Sequence, residues 1–413
     1  MVRRLGVLFV LAVMASACVP GQDAAPETVP STSTTQPTVS GAIGDRLVVA
    51  TGSGAVAVFD GDLVEVQRIT PTDGTIFRQP AWLDGESVVF SEVPGTGGQS
   101  ALTSAAVADG SIRWRAELDT VPFYYLPAPS GAGADTTSLR NNPQGGIIAE
   151  LIATGGAVEQ ISDRSPFYSS WSPDGSALAI HERQSRLSIV EGSRVTTIAE
   201  PSGAFQAPAW TEAGLVVLHA TAGGQALSVW DGSAFEDLAI IAGPVRFSAT
   251  DRQIAIQSAE VADGQSVEAG LRTQSLPTIP GGRLVVVDIE SGSVATVSNR
   301  LVPMFEWSPD GSRLLYASFG DGGSPELTWH LWDEQSTVDL SAFTVQPEWF
   351  QAVAPFFDQY VQSVSMWSPS GNRIAYPAVV EGANAVVVEM VDGSGTAMIT
   401  DAVWASWSSG GRP

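Results

Sequence analysis

A five-residue turn, Trp-Ser-Pro-Asp-Gly, occurs at residues 171–175 and again at 307–311. A third copy at 367–371 differs in carrying Ser370 where the others have Asp174 and Asp310. Each copy is followed by a short apolar run ending in a polar or aromatic residue, at 177–181, 313–316 and 373–376. Ser, Pro, Asp and Gly in that order are the preferences of a type I turn, with Pro pre-setting its own φ. Trp171, Trp307 and Trp367 close the strand before the turn, and Gly175, Gly311 and Gly371 complete the turn. A strand, a tight turn and a strand, repeated, confine the chain to an array of like β units. Such a turn builds a scaffold and names no substrate.

The rest of the chain fits the same unit. The composition, 42 Gly and 26 Pro with 15% charged residues, suits many short strands joined by turns. Strand-like runs at 47–50, 55–59 and 64–70 have no tryptophan turn before them, whereas Trp82 opens a complete unit of four strands. A degenerate unit follows, with Phe123 to Leu126 and a Pro-Ser-Gly turn at 129–131 where a tryptophan turn is expected. Further units open at Trp171, Trp210, Phe247, Trp307 and Trp367, the last two separated by an insertion expected between about 335 and 362 and the Phe247 unit carrying another at about 258–282. The chain ends on Val403, Trp404, Ala405, Ser406 and Trp407 followed by Ser408, an opening strand and turn with nothing after it. Three strands at one end and one at the other complete a single four-stranded blade. The expectation is an all-β propeller of eight four-stranded blades, or seven if the degenerate unit is not a blade, closed by pairing the C-terminal strand with the N-terminal three.

These repeats, the Trp-Ser-Pro-Asp-Gly copies with an apolar strand after each and an Asp-Gly turn further on, resemble those of TolB-like β-propellers, which are related in architecture to WD-repeat propellers. The resemblance extends over nearly all of residues 45–410 and concerns fold rather than function. It implies a protein that binds other proteins. Similar propellers also precede serine-peptidase domains, but no Gly-x-Ser-x-Gly elbow occurs and little chain remains outside the repeats for a hydrolase domain.

Ahead of the repeats, Arg3 and Arg4, an apolar run at 5–14 and the small residues Ala15, Ser16 and Ala17 stand directly before Cys18, the only cysteine. The apolar run is short for a bilayer span, and the whole resembles a bacterial lipoprotein signal. The resemblance implies that residues 1–17 are removed and that Cys18 becomes the lipid-bearing first residue, with the body held outside the cytoplasmic membrane. With a single cysteine, no intramolecular disulfide can form. Residues 18–44, rich in Pro, Ser, Thr, Gln and Ala, are expected to be a disordered tether with a reach of about 25 to 30 Å. Residues 45–413 are then the propeller.

The formal net charge is −24, and all 20 basic residues are Arg. A body this acidic is repelled by phosphate backbones and anionic lipid, which argues against nucleic acid and leaves the lipid anchor as the membrane contact.

The histidines are His181, His219 and His330. His181 and His219 fall at matching points in adjacent repeats, so a two-histidine metal site is conceivable, but no third-ligand signature lies nearby. The Gly-Asp-Gly-Gly segment at 320–323 has too few spaced oxygen ligands for a calcium loop, and the blade-end pattern of quinoprotein repeats is absent. Asp174 and Asp310 read as turn formers. The sequence therefore points to no catalytic residue, metal or cofactor. It fits a monomeric, non-enzymatic scaffold binding a protein partner at the cell envelope. The alternative is an exported propeller hydrolase or lyase using carboxylates at the axial mouth, and it requires several carboxylates and His181 to converge on one pocket.

The expected 335–362 insertion carries Phe343, Trp349, Phe350, Phe356, Phe357 and Tyr360, well above the 8% aromatic average. Pro347 can start a helix, with Glu348 favouring that end, and Pro355 interrupts it. Trp349 and Phe356, seven apart, could share a face. Such a face either caps the ring or, if exposed, anchors a partner through Trp349, Phe350, Phe356, Phe357 and Tyr360.

Overall fold

Runs such as Leu47–Thr51 and Val56–Phe59 are buried along their whole length, whereas Ile112–Leu118 alternates between exposed and buried positions. Strands covered on both faces read as continuous apolar stretches, and a strand at an edge alternates. The computed structural model describes residues 44–408, except 97, 130–134, 184, 223, 242–244, 259–277, 280–282 and 321–325. The expected signal, Cys18 and nearly all of the tether lie outside the described residues. So do most of the 258–282 insertion and of the 320–323 segment.

The described chain is all-β apart from one short helical stretch, and its strands form seven sheets, the neighbours antiparallel except where stated. The first contains β1 (Leu47–Thr51), β2 (Val56–Phe59) and β3 (Glu65–Ile69), with β32 (Ala402–Trp407) against β1. The second is β4–β7 (Ile76–Asp84, Ser87–Val93, Ser100–Ala106, Ile112–Leu118) and the third β8–β11 (Pro122–Pro127, Thr136–Asn141, Ile147–Ile152, Val158–Ser162). The fourth is β12–β15 (Phe167–Trp171, Leu178–Glu182, Arg186–Glu191, Arg194–Ala199). The fifth is β16–β19 (Ala209–Thr211, Gly214–Thr221, Gly224–Trp230, Phe235–Ile241), with β22 (Thr278–Ile279) added in parallel. The sixth is β20, β21, β23 and β24 (Val245–Ala249, Gln253–Ser258, Leu284–Asp288, Val294–Ser298). The seventh joins β25–β28 (Met304–Trp307, Leu314–Phe319, Glu326–Trp332, Thr337–Val345) to β29–β31 (Arg373–Val380, Ala383–Met390, Thr396–Thr400) through the two pairs Thr344↔Val379 and Val345↔Ala378. The unit read as degenerate thus forms a four-stranded sheet like its neighbours.

The tryptophan turns close as type I turns. The N–H groups of Gly175, Gly311 and Gly371 donate to the carbonyls of Ser172, Ser308 and Ser368, each at 2.8 Å. All three glycines have φ of 68°, which a side chain would strain. Asp174 Oδ1 accepts hydrogen bonds from Ser172 Oγ at 2.6 Å and Ser176 N–H at 3.0 Å, and these bonds hold its carboxyl below the ordinary range. In the third copy the carboxylate comes from a distant residue. Ser370 N–H and Oγ donate to Asp45 at 3.1 and 2.7 Å. Asp45 also pairs at 2.7 Å with Arg373, a fully buried guanidinium that lies 4.8 Å from the centre of the Trp407 ring.

Neighbouring units are joined at their opening strands by the tryptophans themselves. The indole N–H of Trp171 donates to Leu126 O at 3.1 Å, Trp210 to Ser170 O at 3.1 Å and Trp307 to Ser248 O at 3.0 Å. Trp367 donates to Glu306 O at 3.3 Å and Trp82 to Ser406 O at 3.0 Å. Each bond reaches the opening strand of the preceding unit, so one side chain both fills the inter-sheet core and satisfies a backbone carbonyl. Between third and fourth strands the register shifts once in each of the first six sheets and again between β27 and β28. A bulge there increases the local twist. β32 pairs with β1 from Leu47↔Trp407 to Thr51↔Ala402, bringing the two ends of the described chain into one sheet.

Candidate functional site: the opening strands and their helical insert

The insertion proper begins after β28, because Phe343 belongs to that strand and packs in the core. The earlier start expected at 335 fails because β28 pairs with β27 from Thr337 to Thr344. Pro347 occupies the first turn of α1 (Pro347–Val353), Ala354–Phe356 forms a 3-10 turn at Pro355, and α2 (Phe357–Tyr360) follows.

This insert is bonded to the opening strands of unit after unit. Gln346 Nε2 donates to Ala402 O on the opening strand β32 at 2.9 Å, and to Ala378 O and Ala385 O on the inner strands β29 and β30 at 3.2 and 3.0 Å. Gln359 takes the Ser169 N–H on Oε1 at 2.7 Å and returns a bond from Nε2 to Ser169 O at 2.8 Å, while its own carbonyl accepts Tyr124 Oη–H at 3.0 Å. Tyr360 Oη–H donates to Phe123 O at 2.9 Å, and its ring packs edge-on to Trp404. Gln362 Nε2 donates to Pro208 O at 3.2 Å. Arg246, on β20, donates to Ala354 O and Pro303 O at 2.8 Å and to Val302 O at 3.1 Å. Glutamines suit this role, since one amide answers both a strand N–H and a strand carbonyl.

The aromatic residues of the insert are therefore mostly internal, contrary to the reading of an exposed anchor patch. Trp349, Phe357 and Tyr360 are buried in the largest core cluster, and Phe350 is half-buried against it. Only Phe356 faces outward, 43% exposed. The expected shared face of Trp349 and Phe356 is lost because the 3-10 turn between them changes the rotation per residue.

Asp358 carries the unusual electrostatics. It is buried on α2, Oδ2 accepts the Ala207 N–H at a long 3.3 Å, and Oδ1 has no partner among the described residues. Burial pushes its carboxyl up to about 6, offset in part by Arg246, while burial pushes Arg246 down. No spacing or motif in the sequence marks Asp358; the signal lies in its tertiary surroundings.

His181 has no carboxylate among its bonded partners. His181 is fully buried, bonded to Ser202 Oγ at 2.7 Å and to the Gln206 side chain and carbonyl at 3.1 Å. Burial pushes it below the ordinary imidazole range. His219 bonds instead to Ser228 Oγ at 2.9 Å and stacks on Phe235. Among the described residues no three His, Cys, Asp or Glu side chains group as metal ligands.

One arrangement that sequence spacing did not reveal is the chain Ser318 Oγ, His330 and Asp339, with bonds of 2.8 and 2.7 Å. The order matches a hydrolase triad, but the burial is inverted. Ser318 is fully buried whereas the Asp339 side chain is 74% exposed, the reverse of the burial such a triad needs.

Scans of the sequence against protein-family models and against curated proteins give no match. Solved structures do resemble the fold. The C-terminal WD40 domain of Sif2 aligns with a TM-score of 0.52 and 11% identity, covering 84% of this chain and 92% of that one. A eukaryotic initiation factor aligns at 0.50 and 10% identity, covering 89% and 99%. TolB from Acinetobacter baumannii aligns at 0.39 and 13% identity, covering 81% and 82%. The antiparallel sheets and the likeness to a WD40 domain define the fold as a β-propeller.

Proposed function

We propose that this β-propeller is a monomeric, membrane-tethered, extracytoplasmic lipoprotein that acts as a non-enzymatic scaffold for a protein partner. In this reading Cys18 carries the lipid and eight four-stranded units close into a ring. The eighth unit is β29–β31, opened by the short Trp367↔Ile374 bridge. The pairing of β32 with β1 and the run of tryptophan bonds from unit to unit support closure.

The observation that carries the function is the bonding of the insert to the opening strands. A propeller enzyme would gather acid, base and substrate where those strands meet, and here Gln346, Gln359, Tyr360 and Gln362 take up their backbone groups. The outer surfaces are left to act, which suits a binding role.

The test is cross-linking on intact membranes followed by purification, with the same signal, Cys18 and tether fused to an unrelated domain as control. A discrete protein captured with the full chain and missing from the control is the expected result. The Cys18→Ala variant should move to the soluble fraction. Equal capture by the control overturns the scaffold reading, and a Cys18→Ala protein that stays with the membrane overturns the anchor.

A further inference from the structure

Strand order divides the connections of every unit between two ends. The indoles of Trp82, Trp171, Trp210, Trp307 and Trp367 each bond the penultimate residue of the preceding opening strand, so these strands stand side by side and run the same way. Strands alternate in direction within a unit. The tryptophan turns and the turns from third to fourth strand therefore gather at one end, and the turns from second to third strand gather at the other with the links between units.

The two ends differ in charge. Asp60, Asp109, Asp231, Asp288, Asp333 and Asp392 lie in, or open, turns from third to fourth strand, which makes the turn end acidic. Asp45 is bonded to Ser370 at that end, so in the lipoprotein reading the tether leaves from there. Three guanidinium groups have no bonded or ion-paired partner among the described residues, those of Arg78, Arg183 and Arg283, and all three residues are exposed. Arg78 stands near the start of β4, Arg183 follows the second strand of its unit and Arg283 precedes the third strand of its own, so all belong to the link end. In a chain with 44 carboxylates and 20 arginines, a guanidinium without a carboxylate calls for a reason.

The link end also carries exposed apolar groups. The helical insert is itself a link, and Arg246 ties it to the link before β25 by bonding Ala354 O, Val302 O and Pro303 O. Beside that tie, Leu301 is 59% exposed and Phe356 43%. The other large apolar residues exposed among the described residues lie on the outermost strands or directly before them. Aromatic residues and Arg are the types enriched at interface cores. Asp73, Glu348 and Glu381 share the link end, so the fit is one of separate carboxylates meeting separate guanidiniums rather than of a uniform basic field. A protein surface presents such a pattern, whereas nucleic acid and anionic lipid, negative throughout, are repelled by the body.

We propose that the link end is the docking surface for the protein partner, which sets an apolar contact on Phe356 and Leu301 and carboxylates against Arg78, Arg183 and Arg283. This rests on the scaffold reading and adds which end acts and what it recognises. The test uses the full chain on intact membranes, with photoreactive p-benzoylphenylalanine replacing Phe356, Ala234 in a turn from third to fourth strand, or Val195 on an outermost strand. A discrete protein adduct from position 356 and none from 234 is expected. Its yield should fall about tenfold or more when Arg78→Glu and Arg183→Glu are combined, with an unchanged melting curve, because both side chains are exposed and unpaired. Protein adducts from 234 or 195 but not from 356 overturn this surface and leave the scaffold reading standing. A lipid adduct at 356, or a yield there that is indifferent to the charge reversal, likewise overturns the proposal. No protein adduct from any of the three positions overturns the scaffold reading with it.

Discussion

At the scale of single residues, the third tryptophan turn shows how a local rule is met by a distant group. Asp174 and Asp310 supply the turn carboxylate from within their own turns. Ser370 instead donates to Asp45, 325 positions away, and that carboxylate also pairs with buried Arg373. An aspartate at 370 would set a second carboxylate beside Asp45 in a site with one guanidinium. Ser370→Asp should therefore lose about 1 to 3 kcal/mol in urea unfolding, against about 1 kcal/mol for Ser370→Ala, which removes only hydrogen bonds. A Ser370→Asp protein as stable as the parent would mean that the site accepts both charges. The turns were legible because Pro and Gly act within five residues; the reason for Ser370 was not, since its partner is brought in by the tertiary fold.

At the scale of elements, the insert divides what pattern can tell from what it cannot. Pro347 at the helix start and the break at Pro355 follow from backbone chemistry and were readable. Whether the aromatic face is covered depends on strands contributed by several units, and no local period records that. The buried Asp358 makes the seating of this element respond to pH. The folded chain holds this proton more tightly than the unfolded chain, so its contribution to stability is full in acid and is lost as pH rises through about 6. In urea unfolding, the stability of the parent relative to Asp358→Asn should fall by on the order of 2 kcal/mol between about pH 4 and pH 7. A difference that stays constant with pH would show that the carboxyl titrates alike in both states.

At the scale of the whole molecule, the all-β repeat and the pairing of the two chain ends were readable from the leftover strands, three at one end and one at the other. The weak β28–β29 pairing that merges two units into one sheet was not, because it rests on just two residue pairs. Removing residues 403–413 takes Trp404 and Trp407, both buried, and uncovers the edge of β1. Two buried aromatics cost about 3 to 5 kcal/mol each, so a melting temperature lower by on the order of 10 °C is expected from calorimetry. A truncated chain that melts with the parent would show that β32 adds nothing to the rest. The same pairing also sets a clock on biosynthesis. Arg46 N–H is bonded to Ser408 Oγ, 362 residues further along. At ordinary synthesis rates β1 waits roughly 20 to 70 s for its partner to be made. Through that interval an apolar strand edge stands open to any neighbouring chain, so nascent copies are most prone to mispair before the last residues arrive.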